Sequence, residues 1–318
     1  MQAPSLEPLP LPTLELAPVS WVHTLLAYPP LKALMPIPIL LAIAPVLFWF
    51  FKDTWRQIDR ESAEYRAANL ERPDYRPAAC LLITAVVLTV QEYYGGRQFF
   101  QTTLRPELEE LFLGPWPWLK LDRYDELYAY GWWCLSRSVG YVVFPMTCWK
   151  LLFPNDSLLD MGLRGRGFVS HLWIYGACLA IVIPVMLVVS AQPDFGSYYP
   201  FYKQSSRSIF DFAAWEAMYW VQFFSLELFF RGWMVGALRR AFGSAAIFVM
   251  ALPYCMIHYG KPYLEAHGAI VAGVVLGSLA MRTRSIYAGF LLHITVAVSM
   301  DVLSLYKRGA IPHSFWPG

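Results

Sequence analysis

Charge is what this chain has least of. Of its 318 residues only 15% are Asp, Glu, Lys or Arg, whereas 57% are hydrophobic and 17% aromatic. Soluble domains carry about 25% charged and about 45–50% apolar residues, so a separate soluble domain of ordinary size is excluded. The net charge of +2 comes with no dense basic tract, which excludes nucleic acid as a partner. Cysteine is sparse as well. Cys80, Cys134, Cys148, Cys178 and Cys255 all lie in apolar stretches with no CxxC pair, and they read as packing residues rather than as disulfides or metal ligands. The first residues, MQAPSLEPLPLPTLELAPVS, lack a basic region and are broken by prolines, so no cleavable signal peptide is expected. There is no HExxH motif and no internal repeat. The absence of a repeat argues against the duplicated architecture of many secondary transporters.

Long apolar runs are what the chain has instead, with a mean hydropathy of +0.40. At roughly 20 residues per crossing, eight spans would occupy about half the chain. The expected fold is therefore all-α, a polytopic transmembrane helical bundle of about eight spans. Residues 1–30 form a proline-rich arm with Trp21 and Tyr28 near the membrane surface. Residues 31–155 hold the N-terminal transmembrane helices. The first, about 33–51, is interrupted by Pro36, Pro38 and Pro45; a charged loop follows over 52–76, and the second runs over about 77–90. An interfacial segment over 91–124 leads to a third span near 127–153. The remaining spans fall near 171–190, 211–238, 243–258, 266–281 and 286–306, and residues 307–318 form a tail. Lys and Arg concentrate in the 52–76 loop and its partners on the same side, which places both termini outside.

Charged and imidazole groups inside these spans are not spread evenly. A charge in lipid costs several kcal/mol, so each marks a candidate functional site. Glu227, Arg231, His258, His293 and Asp301 all fall in the last four spans, against Arg137 and the span-edge Glu92 in the first four. Glu227 and Arg231 are four residues apart and share a helix face, so an ion pair is expected. A carboxylate and two histidines on three of the last four apolar helices suit the deprotonation of a water and the protonation of a leaving amine. Asp301 follows His293 by eight residues, about 12 Å along the helix. It is expected to line the cavity entrance or cap the helix, and Glu216, three turns from Glu227, to play a similar part.

These residues resemble the CAAX-protease and bacteriocin-processing (CPBP) family of intramembrane proteases. That family shows a Glu-Glu-x-x-x-Arg helix, an aromatic-x-x-x-His motif and a His-x-x-x-Asn motif. Here Glu227-Leu-Phe-Phe-Arg231 is similar to the first and Tyr254-x-x-x-His258 to the second, with Tyr in place of the usual Phe. GVVLGSLAMRTRSIYAGFLLH, residues 273–293, is similar to the run that ends on the last histidine, and MGLRGRGF at 161–168 to a short loop ahead of the core. The resemblance covers about residues 156–306. It implies a glutamate-type intramembrane endopeptidase with Glu227, His258 and His293 catalytic and Arg231 and Asp301 in support. It also implies a membrane-associated protein or peptide as substrate, contact with membrane lipid, and a bacterial inner-membrane location. Two positions depart from the pattern: the family's first glutamate is Leu226 and its asparagine is Ala297. Arg231, Thr295 or Ser299 would then have to serve as oxyanion donor. No cofactor is expected; zinc is not excluded, although Arg231 beside the carboxylate disfavours a cation. A non-catalytic protein of the same fold that binds peptides or partner helices, and a proton-linked transporter, are the alternative readings.

Overall fold

The computed structural model describes residues 28–34, 36–71, 73–191, 195–261 and 263–317. Most of the proline-rich arm, Trp21 included, lies outside the described residues. Among those described there are helices and turns and no strand, as expected for an all-α membrane bundle. The chain divides at Trp49/Phe50 into two units. In the first, the described residues form a short helix, Pro29–Leu34, and the apolar start of helix α1 (Pro36–Ala68).

Helix α1 corrects two expectations. Pro36 opens the helix, where a missing N–H costs nothing, and Pro45 sits inside it without ending it. The helix then continues from Lys52 to Ala68, where a charged loop was expected. The reason is an amphipathic face: Phe51, Ile58 and Ser62 are buried and, with Trp55, recur at helical spacing. Trp55 Nε1 donates to Ser278 Oγ at 2.9 Å and Ser62 Oγ to the Arg240 carbonyl at 2.9 Å. Glu61 accepts from Arg284 at 2.6 Å and from Arg239 at 3.2 Å.

The second unit continues with α2 (Arg76–Tyr94), α3 (Leu121–Ser138), α4 (Phe144–Leu152), α5 (Leu172–Ser190) and α6 (Ile209–Glu227). It ends with α7 (Val235–Phe242), α8 (Ala245–Met256), α9 (Tyr263–Thr283) and α10 (Tyr287–Lys307). Short helices fill the expected interfacial segment between α2 and α3. Each of the eight expected spans falls on helix, the third across α3 and α4 and the fifth across α6 and α7. By length and composition α1, α2, α9 from Ala266, and α10 are long and apolar enough to cross a membrane, and α5 and α8 contribute shorter apolar helices. Leu82, Ile181 and Leu252 are exposed while Glu227, Arg231 and Asp301 are fully buried. Apolar outside and charged inside is the arrangement that lipid as solvent demands.

Besides a π-helical turn at Phe100–Leu104 in the interfacial segment, two more join longer helices. Val139–Val143 joins α3 to α4, and Leu228–Met234 joins α6 to α7. This last turn carries Arg231 and begins directly after Glu227. Such bulges add a residue to a turn and locally reset which face each side chain occupies.

Helix α6 is held firmly at its start. Ser208 Oγ accepts from the Asp211 N–H at 3.0 Å, a side-chain N-cap. The Asp211 carboxylate accepts from Arg207 at 2.7 and 2.9 Å, from Tyr202 at 2.7 Å and from Ser208 at 2.6 Å. The tail covers two further N–H groups: Ile209 N–H donates to the Ser314 carbonyl and Phe210 N–H to that of Phe315. Helix starts leave such donors without intrahelical partners, so the tail completes the end of α6.

Helices α8 and α9 approach closely through small residues. A Cβ on Gly273 would lie 3.1 Å from Ala251 Cβ, and one on Gly277 would lie 2.9 Å from Met250 Cε. This small-xxx-small contact substitutes for the hydrophobic drive that lipid does not supply.

On the loop between α4 and α5, Asp156 accepts two bonds from Arg76, both at 2.8 Å, and a third from Trp149 Nε1 at 3.2 Å. The Arg76 hydrogen bonds, helped by its charge, hold the Asp156 carboxyl below the usual carboxylate range. A depressed folded-state pKa gives stability that is present above about pH 4, the unfolded value, and lost as pH falls through the folded value. Asp156→Asn is expected to lower stability at pH 7 by about 1–2 kcal/mol and to remove this acid-dependent component. Unfolding curves in detergent between pH 3 and pH 7 measure both effects, and parallel wild-type and variant profiles would refute the assignment.

Candidate active site

Glu227 ends the regular part of α6 and its side chain is 1% exposed. Its Oε1 lies 3.1 Å from Arg231 Nη1 and 3.0 Å from His293 Nδ1. One carboxylate oxygen is thus shared between a guanidinium on its own helix and an imidazole from α10. None of these contacts reaches good hydrogen-bond alignment: both Glu227 oxygens, the three Arg231 nitrogens and His293 Nδ1 lack a hydrogen-bonding partner within the protein. The attraction is therefore largely Coulombic, and it operates in a low-dielectric interior where it is strong. The carboxylate keeps lone pairs directed at neither partner.

Glycine makes the approach of α10 possible. A Cβ on Gly289 would lie 2.5 Å from Glu227 Oε2 and 3.2 Å from its Cδ. Gly289 stands four residues before His293, on the same face of α10. The His293 ring stacks on Phe223 of α6, with centroids 5.0 Å apart and planes 14° apart, and keeps one fifth of its side-chain surface exposed. Phe223, Glu227, Gly289 and His293 form the α6–α10 seam of the site.

His258 lies in the turn after α8. Its Nδ1 is 2.8 Å from the Tyr254 carbonyl, and because a carbonyl only accepts, Nδ1 carries the proton in this contact. Its ring meets the Tyr254 ring edge-on at 4.8 Å. Tyr254 also lies under Arg231, whose guanidinium carbon is 3.7 Å from the ring centroid. Glu227, Arg231 and His293 thus form one contact set, and His258 joins it by way of Tyr254.

Asp301 belongs to a second cluster. It is fully buried and accepts from Trp215 Nε1 at 2.7 Å. Glu216 is in electrostatic reach of it. Around them Trp215 packs with Tyr130, Tyr202 and Tyr219. Ala297 is part of this aromatic cluster, and Leu226 is buried too. The two departures from the family pattern are therefore packed apolar positions. Among the proposed donors, Thr295 Oγ1 is bonded to Tyr175 Oη at 2.6 Å, which ties α10 to α5. Among the described residues no group of three or more His, Cys, Asp or Glu side chains converges to hold a metal ion.

Sequence reasoning singled out the charged members and overlooked Gly289 and Phe223. Gly289 had a usable signal, a glycine one turn ahead of a histidine inside an apolar helix. Phe223 had none, since aromatics surround it in the chain.

The loop at 161–163 steadies the site from one end. Gly162 adopts φ +84°, a conformation open to glycine, and its carbonyl accepts from the Ile286 N–H at 3.0 Å. The Leu163 carbonyl accepts from Tyr287 Oη at 3.1 Å. The Met161 carbonyl packs directly on Gly232, where no Cβ would fit.

Residues 209–299 match the family model described as type II CAAX prenyl endopeptidase Rce1-like. No curated protein and no solved structure matches the chain. The matched stretch runs from the first residue of α6 into α10 and contains Glu227, Arg231, Tyr254, His258 and His293, in agreement with the resemblance to the CPBP intramembrane proteases. Asp301 and the 161–168 loop lie outside it. The matched family is one of endopeptidases, which act on proteins or peptides, and with its apolar helices the chain is an integral membrane protein.

Proposed function

We propose that this protein is a glutamate-type intramembrane peptidase that hydrolyses a peptide bond of a membrane-associated protein or peptide. The observation that carries the reading is the buried contact of 3.0 Å between Glu227 Oε1 and His293 Nδ1, brought together from α6 and α10. Glu227, assisted by His258, takes a proton from water as the water oxygen bonds to the scissile carbonyl carbon. His293 acts through Glu227, holding the carboxylate in place while the tetrahedral species lasts. The carbon–nitrogen bond then breaks and the leaving amine takes up the proton that water gave. Arg231 keeps Glu227 in a buried position where an unpaired carboxylate would be costly. It also occupies the Coulombic position that a metal ion would need, so the reading invokes no metal. A bacterial inner membrane is the proposed location.

Glu227→Gln, His258→Ala and His293→Ala are each expected to reduce cleavage by about 10²–10⁴-fold while the protein stays folded. Gln is chosen because it leaves Arg231 an acceptor. Comparative proteomics of membranes from cells expressing wild type or Glu227→Gln, reading uncut C-termini, identifies substrates and measures the effect. Cleavage at the wild-type rate by Glu227→Gln overturns the assignment. A second reading is a non-catalytic membrane protein of the same fold that binds peptides. Leu226 and Ala297, both buried and apolar where the resemblance implies Glu and Asn, favour it. It predicts identical proteomes in that comparison, with peptide binding retained.

A further inference from the structure

Tyr254 is the residue on which the parts of the site meet. It is 2% exposed. Its ring lies 3.7 Å from the Arg231 guanidinium carbon and packs edge-on with Phe230 and His258. Its carbonyl is the partner of His258 Nδ1. Its hydroxyl is 3.5 Å from His293 Nε2, at the outer limit of a hydrogen bond. Gly273 of α9 makes room for the ring, since a Cβ there would lie 3.3 Å from Tyr254 Cδ1.

We infer that Tyr254 is a positioning residue whose hydroxyl sets the tautomer of His293, completing a relay that runs from Glu227 through the imidazole to the phenol. The inference rests on the peptidase reading for its role in the reaction, but its geometry stands apart from that reading. A neutral imidazole has one N–H and one lone pair. With a carboxylate facing Nδ1 and a hydroxyl facing Nε2, only one arrangement gives each neighbour its complement. The proton sits on Nδ1, 3.0 Å from Glu227, which can only accept while ionised, and the Nε2 lone pair receives the phenolic O–H. The opposite tautomer would set a lone pair against the carboxylate. No bond to Tyr254 forms or breaks, and the phenol acts through His293. The second hydrogen bond of a working imidazole commonly fixes which nitrogen carries the proton. Phenylalanine at this position would keep the ring, its contact with Arg231 and its packing, and would lose only this control.

The test compares wild type, Tyr254→Phe and Tyr254→Leu, each as the full chain in detergent with 15N-labelled histidine. His293→Gln assigns the His293 signals. In wild type, His293 is expected to show the Nδ1–H tautomer. In Tyr254→Phe the fold and unfolding temperature are retained, the His293 15N signals move toward a mixture of tautomers, and kcat falls about tenfold at unchanged KM, the rate equivalent of one hydrogen bond. Tyr254→Leu, which also uncovers Arg231, is expected to lose stability as well. Unchanged His293 signals in Tyr254→Phe overturn the inference whatever the activity. If Glu227→Gln keeps full activity while the His293 signals do move, the peptidase assignment fails and the relay stands.

Discussion

Arg231→Met is expected to lower the stability of the protein by about 3–5 kcal/mol, because it strands the carboxylate of Glu227 in the interior without its partner. Both side chains are essentially unexposed, at 0% and 1%, so neither lipid nor water is at hand to compensate. The loss follows from the orphaned charge and not from lost packing, since methionine fills a similar volume. Pairing the change with Glu227→Gln should therefore recover most of it. Breaking a buried ion pair is far more costly than replacing both members. Unfolding in mixed micelles of the two single variants and the double variant closes this cycle. Equal stability of Arg231→Met and wild type would mean that Glu227 is neutral in the folded protein.

Gly289→Ala is expected to cost about 10²-fold in cleavage rate with the fold intact. The added methyl would come within 2.5 Å of Glu227 Oε2, a separation no carbon–oxygen contact tolerates. Either the carboxylate swings away or α10 retreats, and both change the spacing to His293. Displacements near 1 Å at a reacting group carry penalties of about that size, whereas overpacking of this kind costs about 1–3 kcal/mol in stability. Gly268→Ala on α9 is the control: its added Cβ meets nothing within 4 Å, and helix propensity alone should stabilise it by about 1 kcal/mol. Rates from Gly289→Ala equal to wild type would show that the exact seat of Glu227 does not matter, which the peptidase mechanism does not allow.

Much of the architecture was legible in the chain because lipid leaves few alternatives. Long apolar runs must be helices, and all eight expected spans fall on helix. The extension of α1 was misread because Lys52, Asp53, Arg56, Asp59 and Arg60 mask the apolar face that Phe51, Trp55 and Ile58 make on the other side. Composition averages the two faces, and only spacing separates them. The pairing of Glu227 with Arg231 was visible from a separation of four. Its meeting with His293 came from motif order rather than from geometry, since contacts between distant helices leave no periodic trace. The π turn at Leu228–Met234 was not legible, because no residue type marks where a helix takes in an extra residue. Tyr254 was visible only as the aromatic member of a motif. Its contacts with Arg231 and His293 depend on three helices converging.

The short loop at Met161–Leu163 has a bearing on how the site responds to its surroundings. It touches Gly232, five residues past Glu227, and through Gly162 it holds Ile286, seven residues before His293. The separation of the two helices at that end is thus spanned by protein and not by lipid. Bilayers differ in thickness and load their helices by tilting them. Helices braced to one another tilt together, so the carboxylate and the imidazole keep their spacing as the membrane around them thickens or thins.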